Sequence, residues 1–268
     1  MTDPAREADL EQLLRRYRIT LQRRFGQNFL IDSALRDEIA AAAGATGEDD
    51  VLEVGAGVGT LTIALAPLAR RIVAVELDRD LIPALREVVA GLDNVEVVQA
   101  DILRYDARAD VVAGNIPYNL TGALIPKLLD DPPRPRRLSF VVQKEVAERW
   151  TATTMAGLAT VAVQVFAVPR LVMTIPAAAF FPPPRVDSAL VVLEVRERPA
   201  VEVDDMQAFL RFVEAVFQFR RKQLGGTLAR LAGKPVSDLG IDLTRRPQTL
   251  SLGEWEALYR AFNSSLGR

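Results

Sequence analysis

Four consecutive residues, Asn115-Ile116-Pro117-Tyr118, combine groups that could activate an aromatic amine. The exocyclic amine of a nucleobase is a poor nucleophile because its lone pair is delocalised into the ring. The side-chain carbonyl of Asn115 can accept one N–H of such an amine, and the backbone carbonyl of Ile116 or Pro117 can accept the other. Tyr118 offers a ring on which a base can stack, a contact worth about 1–3 kcal/mol. The same residues could form an ordinary turn, so the rest of the sequence must decide.

The composition restricts the chemistry that can accompany this motif. The chain has 268 residues with no histidine and no cysteine, which excludes imidazole bases, Ser-His-Asp triads, thiolate nucleophiles and His- or Cys-ligated metals. The hydrophobic fraction of 49% and the charged fraction of 25% are typical of a globular protein. A net charge of −2 still permits a polyanionic partner, since it averages over local patches. Chemistry must rely on carboxylates, amides, backbone groups and a cofactor, and we expect no metal.

A glycine-rich turn is the second functional feature. Residues 51–54 predict a short buried strand, Gly55, Gly57 and Gly59 follow it, and residues 61–68 predict a helix. Glycine permits positive φ angles and lets a ligand lie against bare backbone. The N–H groups at the start of a helix favour acceptor atoms. This pattern predicts a ligand at the carboxyl end of the strand.

Acidic residues accompany the turn. Glu53 precedes the first glycine by two residues. Glu76 ends the apolar run 71–75, about 20 residues after the glycines, where dinucleotide-type folds place the carboxylate that binds ribose hydroxyls. Asp101 follows a third predicted strand, 95–98, at the same sheet edge. Together these residues predict an adenosine-containing cofactor, which could be a nicotinamide or flavin dinucleotide or S-adenosylmethionine.

Strands and helices alternate through most of the chain and predict an α/β fold with a parallel sheet covered on both faces. A fourth strand, 110–113, leads directly into Asn115, so this residue should face the same ligand edge. Methyl transfer from a sulfonium needs positioning of the reactants and no histidine base, whereas a dehydrogenase would need a proton-transfer residue that the chain does not offer. S-adenosylmethionine is therefore favoured. The remaining predicted elements are helices at 80–90, 120–129 and 143–150 and strands at 138–142 and 189–195.

Two further regions complete the predicted organisation. The segment 180–188, with three prolines, predicts a rigid extended loop. The apolar stretch 158–181 is broken by polar residues and prolines, so we interpret it as buried core and not as a membrane span. Helices at 206–218, 222–231 and 252–263 predict a separate bundle, so the expected domains are 1–198 and 199–268. With no signal peptide apparent, we expect a cytoplasmic location.

These motifs resemble, in order, those of the ribosomal RNA adenine dimethyltransferase family. The resemblance covers nearly the whole chain. Its C-terminal part favours the branch that acts on small-subunit rRNA over the antibiotic-resistance enzymes that act on large-subunit rRNA. The matching segments are Arg24–Leu30, Glu53–Gly59, Glu76, Gln99–Asp101, Asn115–Asn119, the Phe-x-Pro-x-Pro-x-Val-x-Ser pattern of 180–188, and Val216–Leu224 with Leu228.

The resemblance implies a class I, Rossmann-like methyltransferase domain followed by a small all-α domain that binds rRNA. It implies two successive methylations of each of two adjacent adenosines near the 3′ end of small-subunit rRNA, within an assembling subunit. The implied catalytic residues are Asn115, Pro117, Tyr118 and Phe180, with Phe180 and Tyr118 sandwiching the flipped base. The implied S-adenosylmethionine contacts are Asn28, Leu30, Gly55, Gly57, Glu76, Leu77, Asp101, Ile102 and Asn115.

Phosphate contacts should supply most of the affinity for RNA. The candidates are Arg220, Arg221, Lys222, Arg245 and Arg246 in the helical domain, with Arg23, Arg24, Arg134, Arg136 and Arg137 as further basic residues. We expect a monomer without membrane association. The alternatives are the same chemistry on large-subunit rRNA, a non-catalytic RNA-binding protein on the same fold, and a dinucleotide oxidoreductase.

Overall fold

The computed structural model describes residues 2–21, 27–106, 108–117, 120–130, 133–237 and 239–265. The chain divides into two compact units, one of Met1–Ala147 with Pro169–Val195 and the other of Glu148–Val168 with Arg196–Arg268. This differs from the predicted boundary between residues 198 and 199. The C-terminal helices form a unit with residues 148–168 because the apolar helix within that segment packs against them.

Seven strands of the described chain form one sheet: β2 (Asp50–Val54), β3 (Arg71–Glu76), β4 (Val95–Gln99), β5 (Val111–Asn115), β6 (Arg137–Gln143), β7 (Ala167–Ile175) and β9 (Ser188–Val195). They lie side by side in the order β4-β3-β2-β5-β6-β9-β7. All pairs from β4 to β6 are parallel. Nearly every residue of β2, β5 and β6 is buried, as expected of strands covered on both faces. The predicted α/β class with a Rossmann-like sheet is confirmed.

The far side of the sheet differs from the prediction. β9 pairs with β6 in the antiparallel direction, with Gln143 opposite Ser188 and Arg137 opposite Glu194, so the sheet is mixed. Both strands contain mostly apolar, buried runs between polar ends. Such runs indicate burial on both faces but carry no information about strand direction.

The stretch 158–181 contains more regular structure than the sequence predicted. Leu158–Phe166 is a helix, α7, whose buried residues confirm the prediction of core. β7 then carries Pro169 at the margin of the sheet, where a missing N–H is tolerated. The predicted loop at 180–188 begins with the two-residue strand β8 (Phe180–Phe181), which pairs antiparallel with β1 (Phe29–Leu30).

The helices of the described chain are, besides α7, α1 (Glu7–Arg16), α2 (Ser33–Ala42), α3 (Thr62–Leu65), α4 (Ile82–Val89), α5 (Thr121–Asp130), α6 (Lys144–Thr151), α8 (Met206–Phe217), α9 (Leu224–Ala232) and α10 (Leu252–Ser265). A 3₁₀ turn, Ala66–Leu68, extends α3 over the segment predicted as one helix. Asp32 caps α2 by accepting from Leu35 N at 3.0 Å. None of the helices within the described ranges combines the length and apolarity that a bilayer crossing requires.

Aromatic side chains hold the second unit together. Phe212 of α8 packs against Trp255 and Phe262 of α10, with ring centroids 6.3 and 5.1 Å apart. Tyr259 lies 5.4 Å from Phe209 in an edge-to-face arrangement. Each such pair adds about 0.5–1.5 kcal/mol beyond the area it buries, so α8 and α10 form the centre of the unit.

An ion pair joins the amino ends of the strands in the first unit. Arg136, just before β6, donates to both carboxylate oxygens of Asp49, just before β2, at 3.1 and 2.7 Å. Thr46 donates its N–H and hydroxyl to the same carboxylate at 2.6 and 2.7 Å. These bonds, led by those from Arg136, lower the pKa of Asp49 to about 2.

We predict that Asp49→Asn lowers the free energy of unfolding at pH 7 by about 1–2 kcal/mol, because it removes charge-assisted hydrogen bonds. The folded-state pKa lies below the unfolded value of 3.8, so the contribution is complete above about pH 4 and disappears as the pH falls towards 2. Urea unfolding between pH 7 and pH 2 measures it, with Asp204→Asn, at an exposed carboxylate, as control. A deficit that persists unchanged at pH 2 would contradict this origin.

Candidate active site

Three parallel strands bring the predicted site residues to one edge of the sheet. β2 lies between β3 and β5, with Glu53 in register with Ala74 on one side and Ala113 on the other. The carboxyl ends of these strands therefore carry Glu76, the glycine turn and Asn115 next to one another. Ligands of open α/β sheets bind at such an edge.

The glycine turn has the conformation that its residues predicted. Gly55, Gly57 and Gly59 have φ angles of +71°, +61° and +91°, which lie in the left-handed region. A Cβ at Gly57 would lie 3.2 Å from the ring of Phe29. The bare backbone therefore keeps the site open beside Phe29.

Glu76 is bound by backbone donors at the edge of the turn. Its Oε2 accepts from Gly57 N and its Oε1 from Asp78 N, both at 2.8 Å. The side chain is buried, and burial raises its pKa despite these bonds. The backbone of Leu77 adds a third bond, and a carboxylate with about four acceptor positions keeps capacity for a further hydrogen bond, such as one from a ribose hydroxyl.

Glu53 is a buried acid that the sequence placed near the turn without a role. Its Oε2 accepts from the hydroxyl of Thr62 at 2.6 Å. Burial raises its pKa to about 8, and the charge of Glu76 acts in the same direction, while the Thr62 bond opposes both. At neutral pH this side chain is therefore a neutral carboxylic acid.

Thr60 provides a buried polar atom on the same turn. Its hydroxyl has no hydrogen-bond partner among the described residues, although the residue lines the cavity. Leaving such a group unsatisfied costs about 1–3 kcal/mol. Thr60 could not be singled out from the sequence, since only burial distinguishes this threonine from a surface one.

The amide of Asn115 is oriented by a distant backbone group. Its Nδ2 donates to the carbonyl of Asn28 at 2.8 Å. An amide that donates on one side presents its oxygen on the other, so Oδ1 is available as an acceptor. Sequence reasoning predicted both residues for the site but not the bond between them.

Backbone hydrogen bonds after Asn115 distinguish the Ile116 and Pro117 carbonyls, which the sequence offered as alternatives for the second acceptor of the amine. Leu120 N donates to the Pro117 carbonyl at 2.8 Å. The Ile116 N–H is bound to Val141 O at 3.0 Å, and the Ile116 side chain is buried. The Ile116 carbonyl is therefore the better candidate for a second acceptor. Tyr118 lies outside the described residues.

Phe180 lies beside the cavity, on the side of the two-stranded sheet. It pairs with Leu30 in the two-stranded sheet and is buried, and both residues line the same cavity as Asn115 and Pro117. Pairing through β1 and β8 therefore brings this aromatic ring, 65 residues away in sequence from Asn115, to the carboxyl end of β5.

Apolar residues with one acid form the outer wall of the cavity. Leu77 is 50% exposed although it is a large apolar side chain, whereas Ile102 is buried. Asp101 accepts from Leu103 N at 3.0 Å, which fixes the loop after β4. An exposed leucine beside a cavity provides a flat apolar contact for a ring system, as expected for an adenine site.

One cavity collects these residues. It measures about 160 Å³, well above the roughly 10–15 Å³ that a cavity needs to hold one water molecule. All predicted cofactor residues, namely Asn28, Leu30, Gly55, Gly57, Glu76, Leu77, Asp101, Ile102 and Asn115, line it together with Pro117 and Phe180. No group of three potential metal ligands occurs in the part of the chain that the structure describes.

The basic residues predicted to bind RNA have different environments. Arg220, Arg221, Lys222 and Arg246 are exposed on the second unit. Arg245 instead pairs with Glu254 and donates to Thr249 O. Its backbone carbonyl accepts from Leu224 N at 2.9 Å, which places Arg246 near the turn between α8 and α9.

The further basic residues of the first unit are held within the fold. Arg136 binds Asp49, Arg137 pairs with Glu194, and Arg134 donates to Leu129 O. These contacts support structural roles for them. Arg23 and Arg24 lie outside the described residues.

We predict that Glu53→Gln makes unfolding less sensitive to pH. In the wild type the folded-state pKa of about 8 exceeds the value of 4.5 for an unperturbed Glu, so Glu53 contributes stability below about pH 4.5 that is lost as the pH rises to 8. The slope is at most about 1.4 kcal/mol per pH unit. Glutamine lacks this titration. Urea unfolding from pH 5 to pH 8.5 should show a growing advantage of Glu53→Gln, with the exposed Glu96→Gln as control. Parallel pH profiles would contradict the prediction.

Comparisons with known proteins extend over the whole fold. The sequence profile of the family "Ribosomal RNA adenine dimethylase" matches residues 18–260. A "Ribosomal RNA small subunit methyltransferase A" from Pelotomaculum thermopropionicum is 39% identical over 98% of this chain and 99% of its own length. The protein of the same name from Geobacillus thermodenitrificans is 35% identical over 97% of each chain.

Solved structures agree with these sequence matches. A dimethyladenosine transferase from Plasmodium falciparum is similar with a TM-score of 0.72 and 26% identity over 88% of this chain and 97% of its own. The 23S rRNA methyltransferase ErmE has a TM-score of 0.67 and 27% identity over 88% of this chain and 100% of its own. Because the family profile spans the acidic cavity and both units, the chain belongs to the ribosomal RNA adenine dimethylase family and is an rRNA adenine dimethyltransferase that uses S-adenosylmethionine.

Proposed function

We propose that this enzyme dimethylates the N6 amines of two adjacent adenosines near the 3′ end of small-subunit rRNA, using the cavity at the ends of β3, β2 and β5. Curated relatives named for the small subunit support this target, since they match 97–98% of the chain and therefore include the helical unit. The oriented amide of Asn115 is the observation that carries the chemistry. We further propose that the enzyme acts as a cytoplasmic monomer on an assembling subunit.

The residues of the cavity suit S-adenosylmethionine. Its bare glycine backbone, the buried hydroxyl of Thr60 and the acidic side chains Glu53, Glu76 and Asp101 would suit a polar ligand that carries positive charge. When bound, this donor supplies a methyl group on a sulfonium, whose departure as a neutral thioether is favourable.

Each part of the donor has candidate contacts in the described residues. Glu76 would accept from the ribose hydroxyls, and Leu77 and Ile102 would cover the adenine ring, with Asp101 beside them. The backbone of Gly55 and Gly57 would lie against the donor. Asn28 and Leu30, on the other side of the cavity, complete this set.

Asn115 and the following backbone would hold the target amine. The amide oxygen of Asn115 and the carbonyl of Ile116 accept its two N–H groups, which holds the nitrogen lone pair towards the donor. The Pro117 carbonyl is already bound by Leu120 N, and Phe180 would provide a face for the flipped base, with Tyr118 proposed on the other face. The amine then loses its extra proton to solvent, so no imidazole is needed.

The helical unit would bind the RNA backbone. Arg220, Arg221, Lys222 and Arg246 form an exposed basic surface around the turn between α8 and α9, while Arg245 orders the neighbouring loop through Glu254. Because Arg245 is engaged within the unit, we propose an indirect role for it in place of a phosphate contact. Phosphate contacts by the four exposed residues would release counterions from the RNA and make binding salt-dependent.

One assay identifies the nucleotides that the enzyme methylates. Purified small and large subunits that lack the modification are incubated with labelled donor, and the methylated nucleotides are mapped by primer extension and mass spectrometry. The proposal expects two neighbouring dimethyladenosines in small-subunit rRNA. Modification confined to large-subunit rRNA would instead assign the chain to the ErmE-like activity.

We predict that Asn115→Ala reduces kcat at least about a hundredfold, since it removes an acceptor that matters most in the transition state. Binding of an RNA substrate should change little, because phosphate contacts dominate it. Single-turnover methylation with saturating donor measures the effect, with Gly122→Ala on the exposed face of α5 as control. Near-wild-type turnover would refute the proposed amine clamp.

We predict that Arg221→Ala and Lys222→Ala each weaken RNA binding and reduce the slope of log K against log salt by about one. The donor affinity should not change, since neither residue lines the cavity. Filter binding over a salt series measures the slope, and Arg15→Ala, an exposed arginine of α1, serves as control. Unchanged slopes for both variants would contradict the assignment of these residues to the RNA interface.

A further inference from the structure

The cavity has an unbalanced charge. The charged side chains that line it among the described residues are Glu53, Glu76 and Asp101, and all three are acidic. Glu53 and Glu76 are also buried, where an isolated negative charge is costly. A cationic ligand would offset this cost.

Glu53 occupies the central position in this group. The strand order places β2 between β3, which ends at Glu76, and β5, which ends at Asn115. A ligand that is held at Glu76 and reacts beside Asn115 must cross the end of β2, where Glu53 lies. This step rests on the proposed function of Glu76 and Asn115.

The groups around Glu53 leave its protonation state open to change. Thr62 of α3 donates one hydrogen bond to it, and Glu76 of β3 repels its ionised form. β5 contributes the neutral amide of Asn115, and Asp101 lies beyond β3, after the edge strand β4. With no cation from the described lining residues, an approaching positive charge would have a strong effect on this carboxyl group.

We propose that Glu53 is a proton-linked charge sensor that favours the cationic methyl donor over its neutral thioether product. The carboxyl group is protonated in the empty cavity and releases its proton to bulk solvent when the donor binds. It takes up a proton from solvent again once the sulfonium charge has gone. The product then faces a neutral cavity floor and dissociates more readily.

The burial of Glu53 puts this switch in an accessible pH range. Its pKa in the ligand-free chain is about 8 because burial and Glu76 outweigh the Thr62 bond. The neutral acid therefore predominates near pH 7, and a nearby cation would shift the equilibrium to the carboxylate. Each unit of pKa shift corresponds to a tenfold difference in affinity between the two protonation states.

Isothermal titration calorimetry tests the proposal by binding alone. S-adenosylmethionine and S-adenosylhomocysteine are titrated into the full-length enzyme from pH 6.5 to pH 9, in buffers that differ in ionisation enthalpy. The proposal expects donor binding at pH 7 to release about one proton, and donor affinity to rise by up to about tenfold per pH unit below 8. The thioether should show a much smaller release and a shallower rise. An analogue with an amine in place of the sulfonium should behave like the donor.

Two variants distinguish protons released by Glu53 from protons released by the ligands themselves. Glu53→Gln should remove the difference in proton release between donor and thioether. Thr62→Val should keep that difference but move its midpoint to higher pH, because the lost hydrogen bond favours the carboxylate. Equal pH profiles for donor and thioether in the wild type, or a difference that survives in Glu53→Gln, would overturn the proposal.

Failure of the charge-sensor proposal and failure of the proposed function give different experimental results. Donor binding without linked proton release refutes the sensor and leaves the donor site intact. Failure of the donor to bind at all would refute both. If Glu53→Gln does not fold, the midpoint shift in Thr62→Val decides, and an unchanged midpoint would count against Glu53.

Discussion

The close approach of β5 to β2 is the constraint on which the site depends. A Cβ at Gly114 would lie 2.3 Å from the carbonyl oxygen of Val54, so only glycine allows the two backbones to run this close. The next residue along β5 is Asn115, and Gly55 directly follows the end of β2. One backbone contact thus brings the proposed amine acceptor to the turn that would cradle the donor. The remaining parts of the site, including Phe180 and Asn28, are added around this junction.

Burial of acids gives the same junction its electrostatic character. Glu53 and Glu76 stand on neighbouring strands, and burial raises the pKa of both. Burying two acids destabilises the fold, but it does so at the place where a cationic donor would offset the cost. Perturbed acids of this kind are common at functional sites. Structural carboxylates such as Asp49 show the opposite shift, because Arg136 stabilises the charged form. The two kinds of acid therefore differ in their surroundings: Asp49 has an arginine partner, whereas Glu53 and Glu76 are buried near another acid.

Much of this arrangement was predictable because local patterns determine it. Apolar runs marked β2 to β6, and the residues that follow strands marked the edge where Glu76, Asp101 and Asn115 gather. The direction of β9 was not predictable, since a buried apolar run suits either direction. The bond between Asn115 and Asn28 and the approach of Phe180 to Leu30 depend on long-range pairing. The mutual bonds of Ser251 and Glu254 were within reach, because these residues have the spacing of a helix capping box, whereas the pairing of Arg245 with Glu254 follows from no local pattern.

A structure of the enzyme with a donor analogue and a target adenosine tests the central claim most directly. We expect the adenosine N6 within hydrogen-bond distance of Asn115 Oδ1 and of the Ile116 carbonyl, with Asn115 Nδ2 still bound to Asn28 O. An adenosine N6 that meets neither oxygen, or an Asn115 amide turned so that Nδ2 faces the base, would contradict it.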